Sequence, residues 1–423
     1  MNRSIYKLVT LAACILLALA PAMASSFTLK IFGNANMDDT INENDIDYLK
    51  KIIQGTAEST NLADADHNGK IDDDDIAQIE KIISGNAETL TLIDQADRTV
   101  TVNEPIGRII ALLPTVVRTV VQLEATDKIV GICNHTKGYA DNMIEVQAHP
   151  ELREITDVGM YDDPNKELML TLEPDVILEY SSIPEVADAL QKSTGIPVVC
   201  INPSPTGNEY SNSGGPFETW RLTGYIIGKE DRAEELISYC KEKFDEIKEI
   251  TSDISDDEKP RVYFCHSQGA KDIIKAVTSY DPMDLAGGKN VAAVIEAPFN
   301  QSRSVVTEIS KEQIIKWDPD IILIHSFSKS PTLSIDKVLS DTVLQTVKAV
   351  KDKQIYYTKG WYIGWDPATG VTECFYMGKI FHPKEFEDIN VEEESNKILK
   401  TFYGADGLYT WTLEHVGNYY NWE

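Results

Sequence analysis

Two distant stretches of this chain echo one another, and that echo limits the folds open to it. KELMLTLEPDVIL (residues 166–178) and KEQIIKWDPDIIL (residues 311–323) each read as a short helix whose Pro-Asp turn feeds a buried strand. Strand-like runs recur around them between helical segments: RIIALLP, KIVGICNH, PDVILEYSS, IPVVCIN, PRVYFCHS, PDIILIHS and QIYYTKG. Strands that alternate with helices give an α/β fold with mostly parallel sheets. The wide separation of the two echoes places them in two similarly built α/β lobes. Between them DRAEELISYCKEKFDEIKEI (residues 231–250) contains neither Gly nor Pro. At 1.5 Å per residue such a helix spans about 30 Å, enough to join two lobes. The expected organisation is a first lobe over 89–228, a bridging helix over 229–252 and a second lobe over 259–423. TLTLIDQADRTVTV (residues 89–102) opens the first lobe as a hairpin.

A second repeat precedes the lobes, within residues 32–86. NANMDDTINENDIDYLKKIIQG (34–55) aligns without a gap on DADHNGKIDDDDIAQIEKIISG (64–85). Oxygen-bearing side chains recur at loop positions 1, 3, 5, 9 and 12. They are Asn34, Asn36, Asp38, Asn42 and Asp45 in the first copy, and Asp64, Asp66, Asn68, Asp72 and Asp75 in the second. Backbone carbonyls of Thr40 and Lys70 are expected at position 7. Calcium takes six to eight hard oxygens on a flexible loop, which this spacing supplies. Ile41 and Ile71 are placed to pair the two loops. Each loop enters an amphipathic helix that ends at Gly55 or Gly85. The first loop starts with neutral Asn34 and carries Asp39 where the second has Gly69. The first site is therefore expected to be the weaker, with backbone strain at Asp39.

The 423 residues are too many for one ordinary core. A formal net charge of −29 excludes the basic footprint of nucleic-acid binding. Residues 1–24 read as a signal peptide: Arg3 and Lys7, an apolar run over Leu8–Ala20, then Ala22-Met23-Ala24. A lipid anchor at Cys14 is the alternative. The chain is thus expected to be exported, either periplasmic or extracellular and associated with the cell surface. Cys133, Cys200, Cys240, Cys265 and Cys374 follow the leader. Their odd number and wide spacing argue against a dense disulfide framework.

The N-terminal repeat resembles a dockerin module, a duplicated calcium loop–helix unit with Asp at position 12. The resemblance implies two bound calcium ions and a cohesin-type partner. Positions 10 and 11, which often choose that partner, are Glu43-Asn44 and Asp73-Asp74 rather than small hydroxyl residues. The order of elements over residues 89–404 resembles the helix-bridged class of periplasmic binding proteins. The motifs that carry it are RTVTVNEPIGRIIAL, LEPDVIL, GKEDRAEELISYCKEKFDEI, AGGKNVAAVIEAPFNQSRSVVTEISKEQIIKWDPDIILI and YMGKIFHPKEF. The resemblance implies a monomeric receptor that hands an iron chelate (siderophore or haem) or cobalamin to an ABC permease. It also implies one permease-docking glutamate on each lobe. The matching positions are Glu167 and Glu312, each eight residues before the Asp of its Pro-Asp turn.

Ligands of open α/β sheets bind beyond the carboxyl ends of the strands. Thr115, His135, Tyr161 and Ser181 fall there in the first lobe, and His266, Ser267, Gln268, His325, Ser326, Trp361 and Tyr362 in the second, with Arg303 as a further candidate. Imidazole suits iron, zinc and copper. Trp361, Tyr362 and Trp365 suit stacking on a flat chelate, and Arg303 suits the carboxylates of an anionic complex. Two alternatives remain open. One is a receptor for bare zinc or manganese, which needs His135, His266 and His325 to converge. The other is a dockerin-tethered secreted enzyme, although the sequence carries no G-x-S-x-G elbow, H-E-x-x-H or P-loop.

Overall fold

The computed structural model describes residues 27–180, 183–202, 215–266, 271–295, 306–326, 329, 331–360, 366–417, 419–420 and 422. A hairpin, β1 (Thr89–Ile93) and β2 (Thr99–Asn103), precedes the first lobe. The first sheet holds β3 (Ile109–Leu112), β4 (Ile129–Ile132), β5 (Thr156–Asp157), β6 (Val176–Glu179) and β7 (Val198–Cys200). All five are parallel, in the order β5-β4-β3-β6-β7. The second sheet holds β8 (Arg261–Cys265), β9 (Lys275–Val277), β10 (Lys289–Asn290), β11 (Val306–Glu308), β12 (Ile321–His325) and β13 (Ile355–Thr358). It is mixed, in the order β11-β9-β8-β12-β13, with β10 parallel to β8. Both sheets thus bear out the two-lobed α/β expectation.

The period-2 pattern of the strands decides which core each residue enters. Ile109, Ala111, Val176 and Leu178 face a large core that also takes Val262, Phe264, Ile321 and Leu323 of the second lobe. The intervening Ile110, Leu112 and Ile177 fill a smaller core behind the first sheet. Tyr263, Cys265, Ile322 and Ile324 do the same behind the second. A helix over Glu230–Thr251 runs between the lobes and buries Leu236, Ile237, Cys240, Phe244 and Ile247 in the large core. The lobes therefore share apolar contacts and are not two beads on a string. Cys133, Cys200, Cys240, Cys265 and Cys374 are free and buried. No described helix is long and apolar enough to cross a membrane.

The N-terminal module forms two helices, Glu43–Ile53 and Asp73–Ile83. Each starts in a capping box, Asn42 with Asp45 and Asp72 with Asp75. Each ends in the same glycine motif. Gly55 and Gly85 have φ of 71° and 67°, and the following N–H groups of Thr56 and Asn86 reach back to the Lys51 and Lys81 carbonyls. Leu49, Ile79 and Ile82 pack into the large core. Ahead of the first loop, the backbone of Lys30 and Phe32 hydrogen-bonds the hairpin strand β1. One expectation is corrected here. Asp39 is not among the described residues with positive φ, whereas Gly69 has φ +88°, so the first loop turns by another route and avoids strain at that position. Ile41 is buried in the large core and Ile71 packs against it, while the Ile41 N–H donates to the Tyr225 hydroxyl at 2.9 Å.

The C-terminal segment packs on the second lobe. Tyr419 meets Tyr376 edge-on at 4.8 Å, and the Tyr420 N–H donates to the Tyr376 hydroxyl.

Candidate functional site

Strand order locates the cleft. In the first sheet the chain reverses its direction of travel between β3 and β6, and in the second between β8 and β12. Crevices open at such switch points, beyond the strand ends. His266 directly follows β8, and His325 is the last residue of β12. Adjacent parallel strands therefore bring the two rings together, stacked with centroids 4.7 Å apart. His325 is fully enclosed and His266 half-buried. The ring of His325 lies where a Cβ on Gly360 would stand, 2.7 Å from that ring, so this packing requires glycine at 360. Burial, then the charge of Lys275, lowers the pKa of His266. Burial, then His266, pushes His325 down to about 3. Both rings are therefore neutral near pH 7, the form in which imidazole binds metals.

The first lobe contributes a looser group. His135 lies on the short helix Asn134–Tyr139 after β4, half-buried, 4.8 Å from the Tyr139 ring and 6.3 Å from that of Tyr161. Tyr161 is exposed. Thr115 is buried in the first turn of the helix Pro114–Gln122. Ser181, Ser267, Gln268, Arg303, Trp361, Tyr362 and Trp365 lie outside the described residues.

Sequence reasoning missed two features. Leu113, between β3 and that helix, has φ +78°, a strained conformation for a branched residue at the switch point. A buried charge network also joins the lobes. Arg118 pairs with Glu145 at 2.9 Å and approaches Asp366 at 3.9 Å. Lys359, one residue past β13, lies 3.9 Å from Asp366 and donates to Thr369 at 2.8 Å. Gln122 donates to Asp366 and to the Tyr403 hydroxyl, and accepts from the Trp220 indole. Burial resists ionisation of Asp366, but Arg118 and Lys359 outweigh it and lower its pKa. Burial brings Lys359 down to about 8 and Glu373 up to about 7. One signal was available in the sequence: Arg118 interrupts the apolar run VVRTVV.

Glu167 and Glu312 sit in corresponding places, in the first turns of the helices Lys166–Thr171 and Lys311–Trp317, capped by Asn165 and Ser310. Both are exposed. Hydrogen bonding from its own N–H, then from Ser310, holds the Glu312 carboxyl below its ordinary pKa.

In the module, the second loop gathers Asp64, Asp66 and Asp75, with carboxylate oxygens all within 4.8 Å of one another. Backbone N–H groups orient each acid. Asp64 accepts from Asn68 and Gly69, Asp66 from Asn68, and Asp75 from Asp66 and Asp72. Asp72 caps the helix that follows, and the Lys70 N–H is held by Asn68. Burial, and the nearby charge of Asp66, raise the pKa of Asp75. A cation would relieve this crowding, and hard oxygens on a turn with a positive-φ glycine fit calcium. The first loop offers two carboxylates, Asp38 and Asp45, beside the amides Asn34, Asn36 and Asn42, with the Thr40 N–H held by Asp38. Burial pushes Asp45 up to about 6.

Residues 109–361 match the profile of the periplasmic binding protein family, which is most of the chain. This chain belongs to that family. The molybdate-binding protein MolA of Haemophilus influenzae is 26% identical over 320 residues, covering 71% of this chain and 87% of that protein. Its molybdate-bound structure superposes with a TM-score of 0.60 at 23% identity, over 75% of this chain and 98% of that one. A periplasmic solute binding protein of Veillonella parvula superposes with a TM-score of 0.58 at 25% identity, over 75% and 94%. As a family member the chain is an exported substrate-binding protein of an ABC transporter, and it works with a permease. The family and the relatives it matches are described as binding proteins.

Proposed function

We propose that the cleft captures a small metal-containing solute and delivers it to the permease. The stacked pair of neutral imidazoles at the β8/β12 switch point carries this reading. His266 supplies the contact, and the enclosed His325 fixes its ring. Iron chelates and cobalamin present a metal to such a ring. The likeness to a molybdate-binding protein adds metal oxyanions to the solutes to be tested. A calorimetric titration of the exported chain against a ferric siderophore, haem, cobalamin, molybdate and nickel should give one saturable response. His266→Ala should then weaken that response at least tenfold while the melting temperature stays within a few degrees. Undiminished affinity in His266→Ala would remove the imidazole from the site and overturn the reading.

We further propose that Asp64, Asp66, Asn68, Asp72 and Asp75, with the Lys70 carbonyl, hold calcium in the second loop. The first loop, with Asn34, Asn36, Asp38, Asn42, Asp45 and the Thr40 carbonyl, is the weaker site. Glu167 and Glu312 are proposed as the permease contacts.

A further inference from the structure

The two loops of the module are alike in sequence but differ in what surrounds them. The second is open to solvent over residues 66–70, whereas the first lies against the helix Pro216–Ile227 of the first lobe. Three consecutive residues of the first loop make that contact. Asp39 pairs with Arg221 at 3.3 Å. Thr40 shares a hydrogen bond with the Tyr225 hydroxyl at 3.2 Å, and the Ile41 N–H donates to the same oxygen. Arg221 is almost fully buried; it also pairs with Glu234 of the bridging helix and stacks its guanidinium over Phe27 at 5.6 Å. One arginine thus ties together the segment before the loop, the loop itself and the bridging helix.

Position 1 of the first loop explains how it stays closed. Asn34 is fully buried. One of its side-chain atoms lies 2.8 Å from the Leu29 carbonyl and 2.7 Å from that of Asp38. An atom facing two carbonyl oxygens must be the amide nitrogen, since an oxygen there would meet only acceptors. The amide oxygen accepts from the Asp38 N–H. Asn34 therefore closes the loop on itself and fastens it to the preceding segment. In the second loop Asp64 offers oxygens alone.

We infer that the first loop is an intramolecular latch. It holds the module on the first lobe through Arg221 and Tyr225, and the Asn34 amide keeps it closed without an ion. The module is then a fixed part of the receptor, with the second loop facing outward. This inference does not rest on calcium binding by the second loop.

Hydrogen–deuterium exchange of the full chain, in calcium and in EDTA, tests it. Peptides covering 34–45 should stay protected in EDTA. Exchange at the unfolded rate there would show that an ion, not the latch, closes the loop, and would overturn the inference. Tyr225→Phe removes one oxygen from a helix whose packing it leaves intact. It should speed exchange over 34–45 about tenfold and leave 64–75 unchanged; unaltered exchange over 34–45 would again overturn it. Asn34→Asp should likewise deprotect 34–45 in EDTA, and equal or greater protection would refute the role of the amide. Calcium binding is read separately over 64–75. A flat response there would defeat the calcium reading while leaving the latch standing.

Discussion

Glu373 sits mid-way along the helix Pro367–Phe381, fully enclosed, with Lys359 as its cationic neighbour. Burial raises its carboxyl from an ordinary 4.5 to about 7. Between those values the folded chain keeps a proton that the unfolded chain has released. Stability from this group therefore rises as pH falls from about 8 towards 5. At about 1.4 kcal/mol per unit, the span corresponds to roughly 3 kcal/mol. Glu104, raised by burial to about 7, pushes the same way, so the wild-type slope alone does not isolate Glu373. The difference between the wild type and Glu373→Gln does. Glutamine is neutral throughout, so Glu373→Gln should be the more stable protein at pH 8 and should match the wild type near pH 5. Urea midpoints at the two pH values measure this; parallel curves would mean that Glu373 is ionised in the fold.

At the scale of elements, the second loop makes a separate prediction. Gly69 has φ +88° with no atom within 4 Å of where a Cβ would stand. Gly69→Ala therefore meets no clash but carries backbone strain of about 1 kcal/mol or more. Calcium affinity should fall several-fold while the helix Asp73–Ile83 persists, as read by calorimetry and circular dichroism. Unchanged affinity would show that the ion does not need this turn. The contrast with Asp39 shows what sequence can and cannot convey. The duplicated loop–helix units, their terminal glycines and every long strand were legible, because each depends on nearby residues and on periodicity. His266 and His325 were legible as strand ends, but their stacking was not, since it follows from β8 and β12 being neighbours although 55 residues lie between them. The contacts of Arg221 and Tyr225 with the first loop are hidden for the same reason: they join residues about 180 positions apart, and no local pattern announces them.

At the scale of the whole molecule, the lobes share one apolar core with the bridging helix, so wide opening would expose core residues to water. Only modest closure around a solute is expected, and the outer surface then meets the permease in nearly one shape. That makes the placement of surface charge important. Glu167 and Glu312 occupy the same turn of the two echoing helices, exposed and each in a first turn. An exposed carboxylate contributes little to folding, so its reversal should perturb the fold only slightly. Across an interface, charge complementarity governs encounter and weakens as salt screens it. Glu167→Lys and Glu312→Lys should therefore leave melting temperature and solute affinity unaltered. Each should lower solute-stimulated ATP hydrolysis by the reconstituted transporter, and the double variant should lower it furthest. Added salt should narrow the gap between wild type and variants by weakening the wild type. Full stimulation by the double variant would place the docking surface elsewhere on the two lobes.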